Sequence, residues 1–179
     1  MVSCWIGLLS TAMAADTVSP AAQAAIALLD STDPYQRAIG FLRLEALREP
    51  ATLPAIERYT NASDNDIRAA SLRAVAAIQG EGAIPRLCDI AQHDRAPRVR
   101  RAVLLGLEPL ESAAHPELLR TFLDALRDRA PVVRMTAVDI VSRIDHPLAK
   151  EAILRRHRRE RHRDVQRVLD LAMKRLGYV

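Results

Sequence analysis

Two sites in this 179-residue chain have residue types and spacings that could do chemistry. His157-x-x-Glu160-x-His162 puts two imidazoles and a carboxylate within six positions, the donor types of a transition-metal site. A spacing of five places the two histidines well apart on a helix. Arginines at 155, 156, 158, 159, 161 and 163 surround them and repel a cation. Cys88 offers a thiol, but it lies beside Leu87 in an apolar helical segment with no basic group to activate it. No Gly-rich phosphate loop and no G-x-S-x-G elbow is present. Carboxylates are scattered, so no acid/base pair stands out. The sequence therefore assigns no catalytic residue, no metal and no cofactor. What remains is charge. Residues 1–90 hold 7 basic and 10 acidic residues, and residues 91–179 hold 19 and 12. A basic C-terminal half points to an anionic partner.

The elements that carry these residues follow from composition and repetition. Hydrophobic residues make up 49% and aromatics only 3%, a balance that favours helices over strands. Five segments align without gaps: "QRAIGFLRLEAL" (36–47), "IRAASLRAVAAI" (67–78), "VRRAVLLGLEPL" (99–110), "VRMTAVDIVSRI" (133–144) and "VQRVLDLAMKRL" (165–176). Their starts are 31, 32, 34 and 32 residues apart. With the first residue of each copy as position 0, positions 0, 4, 7, 8 and 11 form one stripe at helical period. Small residues at positions 4 and 7 predict close helix packing.

A shorter amphipathic helix precedes each copy, at 20–29, 51–60, 82–92, 115–127 and 146–158. Pro50, Pro116 and Pro147 suit helix starts, Gly80 and Gly82 suit helix ends, and Asp33, Asp64 and Asp164 stand where N-caps belong. The expectation is one all-α domain over 19–177. It would be a right-handed α-α superhelix of about five hairpins (19–48, 50–79, 82–110, 115–144 and 146–177), because one hairpin cannot bury its apolar face alone.

"D-x-x-I-R-x-x-S-x-x-A-V" at 64–75 and "D-R-A-P-x-V-R" at 94–100 and 128–134 resemble the HEAT-repeat family, an armadillo-type fold. The likeness is to the short bacterial form, similar to phycobilisome-lyase-type repeats. It implies that the arginine at position 1 (Arg37, Arg68, Arg100, Arg134) forms a structural ladder between repeats. Asp33, Asp64, Asp94 and Asp128 are its candidate partners. Gln166 and Gln36 depart from the pattern at the two ends. The resemblance also places positions 2, 6 and 9 on a concave face. A binding surface there would use Leu42, Arg73, Arg101, Leu105, Met135, Asp139, Arg167 and Leu171. Stacked turns would add a basic edge of Arg95, Arg98, Arg129, Arg156, Arg159, Arg161 and Arg163.

These surfaces suit a non-catalytic adaptor or scaffold whose partner is another protein with an acidic surface. The alternative is a nucleic-acid or polyanion binder using the basic half. A lyase- or glycosylase-like enzyme is the weakest reading, since no aromatic cluster exists to stack a base and no cysteine or histidine motif supports lyase chemistry. No run of apolar residues is long enough to span a membrane. Residues 1–15 read as a signal-peptide leader, with Ala12-Met13-Ala14 as an A-x-A cleavage pattern, or else as an N-terminal cap. The leader predicts a periplasmic or secreted protein, and the cap a cytoplasmic one. The oligomeric state is open.

Overall fold

Proline and small polar caps set where the helices begin. The computed structural model describes residues 17–110 and 114–178, so residues 1–15, the expected leader or cap, lie outside the described residues. The first hairpin is α1 (Pro20–Leu29) and α2 (Pro34–Leu47). Then come α3 (Leu53–Glu57) and α4 (Asn65–Gln79), α5 (Ile84–His93) and α6 (Pro97–Leu107), and α7 (Pro116–Ala125) and α8 (Pro131–Val141). The last pair is α9 (Pro147–Arg159) and α10 (Arg163–Arg175). A proline opens α1, α2, α6, α7, α8 and α9, where its missing N–H costs nothing. The Ser19, Asp33 and Asp64 side chains accept from the first-turn backbone of α1, α2 and α4. Asp164 differs from the expectation. It lies inside the first turn of α10 and pairs with Arg167 at 3.1 Å, while His162 takes the cap position. Gly80 ends α4 with φ +55°, a conformation glycine adopts without strain.

Two second helices stop short of their sequence stripes. α6 ends at Leu107 because Pro109 follows: Glu108 is still helical and its N–H reaches the Leu104 carbonyl, but Pro109 has no N–H to continue the ladder. α8 ends at Val141. Leu110 and Ile144 still pack against the core from the turns beyond.

The second helices α2, α4, α6, α8 and α10 pack successively into one inner layer, with the first helices outside them. Among the described residues there is no strand, and the result is an α-solenoid. Position 8 is buried in every copy: Leu44, Val75, Leu107, Val141 and Met173. Close approach is built in at Gly40, where a Cβ would lie 2.8 Å from Leu29 Cδ2 and 2.9 Å from the Ala25 carbonyl. At Gly106 a Cβ would lie 2.9 Å from Ala76 Cβ. These glycines lock α1 to α2 and α4 to α6.

Position 5 lies off the expected stripe but is buried as Phe41, Leu72, Leu104 and Val138. This position faces the following repeat. Phe41, for example, meets Tyr59 of the next hairpin edge-on, with ring centroids 5.4 Å apart. The last copy has no following repeat, and there Asp170 takes the position and is exposed.

Candidate interaction surfaces

The arginines sort into two populations, and the turns between paired helices decide which is which. Take the residue five places before each copy: Ser31, Ala62, Asp94, Asp128 and Glu160. Its carbonyl accepts from the position-1 arginine of its own repeat, at 2.7 Å for Arg37–Ser31, 2.8 Å for Arg100–Asp94 and 2.9 Å for Arg134–Asp128. Arg68 donates to the Ala62 carbonyl in the same way. The side chain at that place faces the preceding repeat. Arg68 grips Asp94 at 2.9 and 3.1 Å, Arg100 grips Asp128 at 2.7 and 2.6 Å, and Arg134 grips Glu160 at 2.9 and 3.1 Å. Each is a bidentate guanidinium–carboxylate pair.

Arg68, Arg100 and Arg134 thus pair with carboxylates of the following repeat. Asp94 and Asp128 are rungs that serve the repeat before their own. Asp33 and Asp64 are helix caps. Ala62 offers Arg37 no carboxylate, and the buried Arg37 Nε has no hydrogen-bond partner among the described residues. Restoring the missing rung should help. Ala62→Asp is expected to raise the unfolding free energy by about 1–2 kcal/mol. Thermal and urea unfolding would show this gain, and Arg37→Ala should cancel it.

Glu160 is the deepest rung. Its side chain is 2% exposed, and it also accepts from Arg156 Nε at 2.9 Å and from the backbone N–H groups of Arg161 and His162 at 2.9 and 2.8 Å. Burial would raise its pKa. Hydrogen bonds from Arg134, the His162 backbone, Arg156 and the Arg161 backbone outweigh that and pull it down to about 2. Arg156 thus belongs to the ladder and not to a free basic edge. Arg98 is also engaged, with Asp66.

Arg95, Arg129, Arg161 and Arg163 are exposed, and none forms an ion pair among the described residues. Arg129 reaches the Arg95 carbonyl at 3.2 Å, so the two turns stack side by side. Arg159 is exposed as well, at the end of α9.

The inner helix face is largely committed to itself. Glu45–Arg73 (2.6 Å), Glu108–Arg143 (2.5 Å) and Asp139–Arg175 (3.5 Å) tie successive repeats, and Arg101 donates to Thr136 Oγ1 at 3.2 Å. Met135 packs partly against the core, and Leu105 is half-buried. Leu42 and Leu171, each 62% exposed, stand at opposite ends of the array. The eight expected residues thus form no continuous apolar patch. Arg167 is held by Asp164.

Cys88 is buried, and desolvation pushes its thiol pKa up, the opposite of an activated nucleophile. His157 bonds Asp170 at 2.8 Å, turned away from the buried Glu160. Among the described residues no three His, Cys, Asp or Glu side chains cluster as metal ligands, and no helix is long and apolar enough to cross a membrane.

A family model described as HEAT repeats matches residues 21–108. Residues 21–108 are HEAT repeats. The ladder carries the same packing past the matched segment, through Arg100–Asp128 and Arg134–Glu160 to α10. The chain is also similar to a chain in the solved complex of CpcE and CpcF of phycocyanin lyase from Nostoc sp. PCC7120. That likeness has 26% identity and a TM-score of 0.70, and covers 86% of this chain and 98% of the other. Comparison with curated proteins gives no match.

Proposed function

We propose that this protein is a non-catalytic adaptor that docks an acidic surface of another protein on its turn edge. One observation carries the reading. Buried arginines are consumed by the ladder, whereas Arg95, Arg129, Arg161 and Arg163 stand exposed along one edge with no ion pair among the described residues. Exposed arginines not committed to an ion pair can contact a partner at little cost to the fold. The similar Nostoc chain comes from a two-protein complex, which supports a protein partner here.

That likeness also favours a second reading, in which the chain is one subunit of a lyase assembly. The edge would then seat the companion subunit.

Replacing Arg95, Arg129, Arg161 and Arg163 together by Ser is expected to leave the unfolding midpoint unchanged and to abolish co-purification of the native-host partner. Retention of the partner by this variant would sink the edge reading. If the partner is duplex nucleic acid, the affinity will fall steeply with salt and the adaptor reading fails instead.

A further inference from the structure

The outer face carries a site that the repeat pattern did not announce. α5 packs along α7, but between α7 and α9 the seam opens into a groove of about 760 Å³. Its floor is apolar. Leu119 and Leu123 line it from α7 at a spacing of four, the buried Leu126 closes it just past the end of α7, and Leu148 and Ala152 line it from α9 at a spacing of four. Leu148 is 48% exposed, which is unusual for a leucine facing a helical seam. The small Ala152 leaves the gap that a larger side chain would close.

The rim is basic. Arg120 stands beside the α7 stripe, and Arg127 lies in the turn just past the helix end. Arg159 faces them from the end of α9. None of the three has an ion pair among the described residues. Arg155 and Arg156, also on the wall, are already paired with Glu151 and Glu160. Asp124 is the acid in the wall.

We infer that this groove binds an acidic amphipathic helix of a partner protein, about two to three turns long. The combination of floor and rim selects that occupant. A nucleic-acid backbone would meet the arginines but leave the leucine stripe against water. A fatty acid would cover the stripe with one carboxylate for three separated guanidiniums. A helix with leucines at i, i+3, i+4 and i+7 sets its ridge between α7 and α9, as a third helix does in a bundle. Glutamates on its flanks then reach Arg120 and Arg127 on one side and Arg159 on the other. This inference is independent of the turn edge, because none of Arg95, Arg129, Arg161 and Arg163 lines the groove.

The test uses a fluorescein-labelled, lactam-stapled peptide of about three turns, with that leucine pattern and glutamate flanks. Fluorescence anisotropy should show binding to the wild-type chain. Leu148→Glu should weaken it by at least about tenfold, and so should Arg120→Glu with Arg127→Glu. Leu148 is exposed enough for thermal unfolding to stay unchanged. The turn-edge variant should bind the peptide like wild type, which separates the two surfaces. The inference is overturned if the glutamate peptide does not bind, if a glutamine-flanked version binds equally well, or if Leu148→Glu has no effect. It is equally overturned if dodecanoate fills the groove while the peptide does not. A wild-type dimer that Leu148→Glu converts to monomer would assign the groove to a second copy of the chain.

Discussion

Asp128→Ala should destabilise the protein by about 3–5 kcal/mol. Arg100 and Asp128 are 2% and 10% exposed, joined by two hydrogen bonds of 2.7 and 2.6 Å. Removing the carboxylate strands a guanidinium that water cannot reach, and it also frees the Ala130 N–H that Asp128 caps at 2.7 Å. The loss is thus mostly the cost of an unpaired buried charge. Urea unfolding at neutral pH measures it directly. A paired replacement, Arg100→Met with Asp128→Leu, should recover much of the stability, because neither charge then needs burial. For contrast, Asp30 and Arg58 are 65% and 50% exposed, and Asp30→Ala should cost far less. If Asp128→Ala also cost only that much, the ladder would be a set of surface pairs and not the clamp between repeats.

Glu160→Ala should cost about 3–5 kcal/mol, because it strands Arg134 and Arg156 together and leaves the Arg161 and His162 N–H groups without their acceptor. This rung also predicts a pH dependence. The folded pKa is about 2, below the ordinary glutamate value of 4.5. The folded state therefore holds fewer protons, and the stabilisation is complete above about 4.5. It fades as pH falls from there towards 2. In Glu160→Gln that part of the acid profile should vanish while the profile from Asp94 and Asp128 persists, since their carboxyls are also held low. Unfolding free energies measured between pH 7 and about 2.5 would reveal the difference. Identical acid slopes in wild type and Glu160→Gln would remove Glu160 from the ladder.

Glu160 also changes the meaning of "RRHRRERHR" at 155–163. Read as composition, the stretch is a basic run with one stray acid. In the fold that acid sits at the centre. Arg134 and Arg156 close on it, and Arg161 and His162 cap it through their backbone. Only Arg161 and Arg163 project from the turn as edge charges, while Arg159 turns to the outer groove.

Position 1 and position 5 show where sequence reasoning stops. Both lie off the single stripe computed for an isolated helix, yet both are buried in most repeats: Arg68, Arg100 and Arg134 at one, Phe41, Leu72, Leu104 and Val138 at the other. A solenoid helix has two covered faces, one towards its own hairpin and one towards the next repeat. The exposed Asp170 and half-buried Gln166 in the last copy were the legible signal, since they mark a face with nothing stacked on it.

The sequence alone determined the helices, their pairing and their stacking. Periodic burial, proline starts and a repeat of 31 to 34 residues depend on local geometry, which one chain segment displays by itself. Only the tertiary structure decided which carboxylate meets which arginine. Those partners are 26 to 28 residues apart and belong to adjacent repeats, so the pairing follows from how far one turn overhangs the next. The same stacking separates the spent arginines from the free ones. It also opens the groove between α7 and α9, because the fit between helices depends on their separation and not on the pattern of either one.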